Sequence, residues 1–72
     1  MKVYTAYVER DPSSGMFFGI FPGIPGAYTQ ALTLEELRDN LKEVLELCLE
    51  EYQGSPDELP EFIGLQHIEI AA

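Results

Sequence analysis

The single histidine and the single cysteine are the side chains of this 72-residue sequence best suited to acid–base or nucleophilic chemistry. His67 stands two residues before Glu69 in a segment with strand-like composition, so the two side chains share a face and could hydrogen-bond. A catalytic base also needs a nucleophile or a pocket, and the sequence indicates neither. Cys48 falls on the apolar stripe of an acidic helix, without the positive charge that activates a thiolate. We therefore expect no catalytic residue and no enzymatic activity.

The thirteen carboxylates could in principle hold Mg²⁺, because two or three acids that converge form a cation site. Most of them fall on one outward helix face, where side chains diverge, and Glu9 and Asp11 have no third acid nearby. One histidine and one cysteine do not make a four-ligand zinc site. The glycine-rich run from Gly23 to Gly26 has Pro25 in place of a donor amide and no lysine after it. We expect no metal and no cofactor.

The formal net charge of −9, from thirteen acids and four basic residues, bears on the choice of partner. Nucleic acids are bound through lysine and arginine, so direct binding to phosphate backbones is disfavoured. A basic protein is the natural counterpart of such a surface. The alternative, that acidity merely keeps a small protein in solution, is equally compatible with the sequence.

Composition and length predict one folded domain over residues 1–72. Hydrophobic residues make up 46% of the chain, which is enough for a packed core. There is no signal-peptide core at the N-terminus and no apolar run of about 20 residues that could span a bilayer. We expect a cytoplasmic protein without a membrane partner.

The pattern of residues predicts an α+β fold with the element order βββαβ. Alternating β-branched and aromatic residues predict strands at 3–9, 16–21 and 28–32, and a last strand at 62–70. Turn-forming residues at 11–15 indicate a hairpin. The two prolines and two glycines of 22–26 indicate a rigid connection. Thr33 and Glu36 form a capping box that opens a helix, and Gly54 ends it near Tyr52.

At helical spacing one face of the predicted helix is apolar and the opposite face is acidic. The apolar stripe consists of Leu34, Leu37, Leu41, Val44, Leu45, Cys48 and Tyr52. Leu47 falls among the acids of the other face. An exposed leucine is ordinary on a protein surface, yet it is also a candidate contact residue. The candidate partner-contact residues are therefore Leu47, Glu43, Glu46 and Glu50.

The run from Gly15 to Leu37 resembles the signature of HicB-like antitoxins. That family typically shows a glycine at the start of the second strand, an F-P-D-L-P-G-C block, and a T-x-G-D-T-x-E-E-A run that opens the helix. The matching residues are Gly15, Phe21, Pro22, Pro25, Gly26, Thr29, Thr33 and Glu36. The sequence departs from the pattern at Gly23, where Asp is usual, at Ala27, where Cys is common, and at Ala31-Leu32, where Gly-Asp is usual.

This resemblance implies a truncated RNase H-like domain without the catalytic acids of RNase H. The implied function is to bind and neutralise a HicA-like toxin, a small basic ribonuclease. An alternative is a solitary HicB-like protein that acts as a homo-oligomeric regulator or scaffold without a toxin. Family members often carry an additional DNA-binding domain, which residues 1–72 do not contain. We therefore expect no repression of transcription by this chain alone.

The aromatic residues predict self-association. One helix covers one face of a sheet, and the other face needs cover as well. The aromatic residues in excess of what one helix can hide are Tyr4, Tyr7, Phe17, Phe18 and Phe21. We expect a homodimer or a higher oligomer.

Overall fold

A computed structural model describes residues 2–71 of the chain. It contains three strands, β1 (Tyr7–Arg10), β2 (Phe17–Ile20) and β3 (Tyr28–Ala31), followed by helix α1 (Leu34–Glu51) and a short 3-10 helix (Pro56–Glu58). The strands form one antiparallel sheet in the order β1-β2-β3. This arrangement confirms the predicted α+β class and the βββα order of elements.

The β1–β2 hairpin closes through the side chain and backbone of Asp11. The amide of Asp11 donates to the carbonyl of Met16 at 2.8 Å, and the amide of Gly15 donates back to the carbonyl of Asp11 at 2.8 Å. The carboxylate of Asp11 accepts from the amide of Ser13 at 3.0 Å and from the hydroxyl of Ser14 at 3.1 Å. Gly15 adopts a φ of +77°, which explains why glycine stands there.

The connection between β2 and β3 is a hydrogen-bonded turn that supplies half of the core. The amide of Phe21 donates to the carbonyl of Ala27 at 2.9 Å, and Ile24 bridges the two through further backbone bonds. The side chains of Phe21, Ile24 and Ala27 are all buried. The predicted rigid connection is thus confirmed, and its spacing of three residues turns each apolar side chain inward.

Helix α1 begins at the predicted N-cap, which makes one of the two hydrogen bonds of a capping box. Thr33 is the N-cap, and its hydroxyl accepts from the amide of Glu36 at 3.1 Å. The helix packs on β2 and β3. Leu37, which is 1% exposed, and Leu41 join the core formed by the β2–β3 connection and Ala31. Gly19 gives the helix room, since a Cβ there would lie 2.8 Å from a methyl of Leu41.

The predicted apolar stripe of α1 is correct except at its first residue. Val44, Leu45, Cys48 and Tyr52 are half-buried, and the first three of them pack against the core. Leu34 was predicted to lie in the core but is exposed. It occupies the first helical position, directly after the cap, where α1 has not yet come into contact with the sheet.

The prediction of a last strand at residues 62–70 is wrong for the described residues 2–71. No strand is formed between residues 59 and 71, and the side chains of 61–71 are exposed. The predicted core residues Ile63, Leu65, Ile68 and Ile70 are all exposed. A strand requires hydrogen bonds from a neighbouring strand, and within residues 2–71 no strand pairs with this segment.

The first strand is shorter than the predicted 3–9. Tyr7 pairs with Ile20, the last residue of β2, and in this register the next hydrogen-bonded pair would be Thr5 with Pro22, which has no amide to donate. Residues 3–6 therefore continue past the end of β2 without a ladder partner on that side. Tyr4 and Ala6 nevertheless pack against the core.

Candidate protein-binding surface

The four candidate contact residues form one continuous surface on α1, which we call the acidic patch (Glu43, Glu46, Leu47 and Glu50). All four side chains are exposed, and Leu47 is 51% accessible. Their spacings of three and four residues make them neighbours on the helix surface. Leu47 therefore stands as one apolar side chain bordered by three carboxylates.

A shallow depression of about 240 Å³ lies at one side of the acidic patch, between α1 and β3. Its lining residues are Thr29, Asn40, Glu43, Val44 and Leu47. The amide nitrogen of Asn40 approaches the carbonyl of Gln30 in β3 at 3.5 Å. The depression joins the patch to the sheet, so a partner that covers Leu47 also reaches β3.

Two of the five lining residues, Glu43 and Leu47, were predicted from the sequence as candidate contacts. Asn40, which also lines the depression, was not predicted. Glu43 and Leu47 line the depression, whereas Glu46 and Glu50 do not. Asn40 lies three residues before Glu43, so helical spacing alone could have placed it on the same surface. Nothing in the sequence indicated that β3 would lie beside these residues.

The residues that carry the family resemblance form turns, core and cap rather than the patch. Gly15 and Gly26 have φ of +77° and +75°, Phe21 is buried, and Thr33 and Glu36 form the helix cap. Pro22 and Pro25 are exposed in the β2–β3 connection. Thr29 alone lies beside the depression. The motif therefore fixes the fold, and the patch lies outside it.

At Gly23, where the sequence departs from the HicB-like signature, the structure gives a reason for the glycine. Gly23 has a φ of +83°, and a Cβ at this position would lie 2.7 Å from the side chain of Pro60. An aspartate would be strained by its backbone conformation and would collide with Pro60. Ala27, at the position where Cys is common, is buried in the core, where its small side chain packs.

The structure does not bring the candidate chemical groups together. His67 lies in the exposed segment 61–71, while Cys48 is half-buried against the core. Within residues 2–71 no group of three or more His, Cys, Asp or Glu side chains is placed to hold a metal ion. Asp11 is engaged in its own turn, where hydrogen bonds from Ser13, and then from Ser14, lower the pKa of its carboxyl.

Fold and surface together define a small α+β protein with an exposed acidic surface centred on one leucine. In the described part of the chain, no helix is sufficiently long and apolar to cross a membrane.

Comparison with known proteins shows the family. A UPF0150 protein of Thermotoga maritima is 48% identical over 69 residues, which are 96% of this chain and 91% of the relative. Those of Synechocystis sp. and Archaeoglobus fulgidus are 40% and 37% identical, over 88% and 93% of this chain and 87% and 93% of theirs. The chain belongs to the UPF0150 family.

No family model matches the sequence. No solved structure matches it either. The assignment therefore depends on the three relatives, whose alignments cover nearly the whole chain.

Proposed function

We propose that this protein is a non-catalytic, cytoplasmic protein-binding module of the HicB-like antitoxin type. It neutralises a small basic HicA-like ribonuclease toxin by direct contact. The residues that resemble the HicB-like signature support the type of module, and the acidic patch supports the type of partner.

The observation that carries the proposal is Leu47, half exposed between Glu43, Glu46 and Glu50. An apolar side chain that is buried on binding and surrounded by charged residues has the anatomy of an interface: a desolvated centre and a polar rim. Carboxylates at the rim attract a basic partner and speed its association. The depression beside Glu43 and Leu47 offers space for a side chain of that partner.

Binding to the toxin's RNA substrate is the less favourable alternative. Two of the four basic residues, Arg38 and Lys42, lie on α1, and acids stand on either side of them in the sequence. A phosphate backbone would meet net negative charge there. The partner that matches this surface is a protein with excess lysine and arginine.

The proposal is tested with the product of a small basic reading frame adjacent to the gene. Co-expression should relieve the toxicity of that product, and the two chains should copurify at moderate salt. Leu47→Ser should weaken the affinity by about tenfold or more, as expected for a central interface residue. Leu32→Ser is the matched control, because Leu32 is also exposed but lies outside the acidic patch. If the intact chain neither forms a complex with this product nor relieves its toxicity, the proposal is refuted.

The alternative function, a homo-oligomeric regulator or scaffold without a toxin, is favoured by a different observation. Large apolar side chains on the outer face of the sheet are exposed, among them Phe18, Ile20 and Tyr28. A second copy that covered them would not need the acidic patch. Homo-oligomers without affinity for any basic neighbour would favour this alternative.

A further inference from the structure

Residues 63–70 form an extended apolar segment, which we call the C-terminal arm. Ile63 and Ile70 are 87% and 83% exposed, and Leu65 and Ile68 are also largely accessible. A Cβ added to Gly64 would meet no atom within 4 Å. The radius of gyration is 14.1 Å, whereas a compact domain of this length has about 11 Å. The arm therefore projects from the body of the protein and leaves its apolar side chains in water.

The base of the arm is fixed beside β1. Leu59 packs against the core, and Pro60 lies against Gly23. The ring of Phe62 meets that of Tyr7 edge to face, with 6.1 Å between centroids. The arm thus begins at a defined place, next to the first strand. Ile63 and Gly64 still line a depression with Val3 and Thr5, and the arm residues beyond Gly64 are exposed.

The sheet has two edge strands, β1 and β3, and β1 is the edge strand that α1 does not contact. Helix α1 packs on β2 and β3, and Asn40 reaches over β3 at Gln30. Within residues 2–71 no strand pairs with the outer side of β1. Residues 3–6 extend this edge beyond β2, and Val3 is 90% exposed. An unpaired strand of this kind is a template for the addition of another strand.

We propose that the C-terminal arm adds as a strand to the β1 edge of a second copy of this chain, and that the exchange is reciprocal. The eight residues of the arm match the eight residues of 3–10. In an extended arm Ile63 and Leu65 point to one face of the sheet, and Ile68 and Ile70 to the other. In the exchanged dimer the arm extends the partner's sheet by one strand, so its isoleucines and leucine add to both faces of that sheet. The partner's β1 supplies the hydrogen-bond partners that the arm lacks in one chain.

A second copy fits this edge better than an unrelated partner for two reasons. Arm and edge occur on the same chain, so a two-fold axis satisfies both at once. The edge also carries no net negative charge, because Lys2 and Arg10 outweigh Glu9, and the arm carries only Glu69 as an acid. Two chains of net charge −9 can therefore meet here, whereas their acidic helices would repel each other.

The oligomeric state of the intact chain and two variants tests the proposal. Light scattering at micromolar concentration should give twice the 8.1 kDa of one chain. Ile68→Lys/Ile70→Lys should raise the dissociation constant about 100-fold or more and yield monomers, because each buried isoleucine contributes tenfold or more. Leu32→Lys/Leu34→Lys is the control: it changes two exposed leucines to the same residue outside the arm, and it should remain dimeric.

Hydrogen exchange on the same samples locates the contact. In the dimer the amides of residues 63–70 and 3–6 should be protected, and in the arm variant both segments should lose protection while α1 keeps it. If the intact chain is monomeric, the proposal is overturned, whether the arm is exposed or pairs with β1 of its own chain. A dimer that survives the arm substitutions would also overturn it. Neither result depends on the toxin, so this proposal and the proposed function fail separately.

Discussion

The contact between Gly19 in β2 and Leu41 in α1 provides the sharpest test of the packing. A Cβ at position 19 would lie 2.8 and 2.9 Å from the two methyl carbons of Leu41 and 3.1 Å from its Cγ. Leu41 is buried and cannot move aside without disturbing the core. Overpacking of this kind costs about 1–3 kcal/mol. We therefore predict that Gly19→Ala destabilises the protein by that amount.

This cost is a large part of the total, since a domain of this size has a free energy of unfolding of about 4–11 kcal/mol. With an m-value of about 1 kcal/mol/M, the urea midpoint should fall by about 1–3 M. The midpoint is measured from the loss of the helix signal in circular dichroism. All variants are compared at one protein concentration, because association shifts stability. Gly64→Ala is the matched control, as its Cβ meets nothing within 4 Å in one chain. Both substitutions are made in the Ile68→Lys/Ile70→Lys background, which removes the proposed exchange, and there Gly64→Ala should change stability by less than about 0.5 kcal/mol.

A double-mutant cycle shows whether the contact is the cause. Leu41→Ala removes the methyls that a Cβ at position 19 would strike and costs about 2–5 kcal/mol by itself. In that background the penalty of Gly19→Ala should disappear. An equal penalty in both backgrounds, or one as small as that of Gly64→Ala, would refute the packing described.

Two further predictions concern the hairpin turn and the helix cap. Thr33→Ala removes the acceptor for the amide of Glu36 and should cost about 0.5–2 kcal/mol in urea unfolding, whereas no loss would show that the cap does not act. Hydrogen bonds from Ser13 and Ser14 lower the pKa of Asp11 from its ordinary value of 3.8. Because the folded pKa is the lower one, the turn's contribution to stability is present above 3.8 and is lost as the pH falls through the folded pKa. An NMR titration of Asp11 should show this low pKa, and Ser13→Ala should raise it; a pKa at or above the ordinary value would contradict the turn.

The sequence predicted the elements whose signals are local. The Thr33–Glu36 cap, the turn at 11–15 and the connection at 22–26 each depend on residues within a few positions of one another. Each of these formed where it was expected. The helical spacing of Leu37 and Leu41 likewise identified the buried face of α1.

The errors lie where structure depends on distant neighbours. The last strand was predicted from its composition, but strand formation requires an adjacent edge, and composition does not say whether one is within reach. The shortening of β1 follows from Pro22, which comes directly after Phe21 at the end of β2 and has no amide to donate to the ladder. The acidic patch was identified from helical spacing, while its depression required the position of β3 beside Asn40.

The two proposed surfaces belong to different parts of the molecule. The acidic patch lies on α1, with its depression against β3, and the exchange site lies at β1, which α1 does not cover. An exchanged dimer would therefore leave both acidic patches accessible. Such a dimer could bind two basic partners and gain avidity if these were themselves linked.

The most direct test of the central claim is the affinity for the basic partner of two variants with equal net charge. Glu43→Lys/Glu46→Lys/Glu50→Lys reverses the acidic patch, and Asp57→Lys/Glu58→Lys/Glu61→Lys reverses three exposed acids elsewhere. If the patch is the binding surface, titration calorimetry should show near-complete loss of affinity for the first variant. The second should differ from the intact chain by only a few-fold. Equal losses would show that the partner senses net charge alone, and would contradict a defined binding surface on α1.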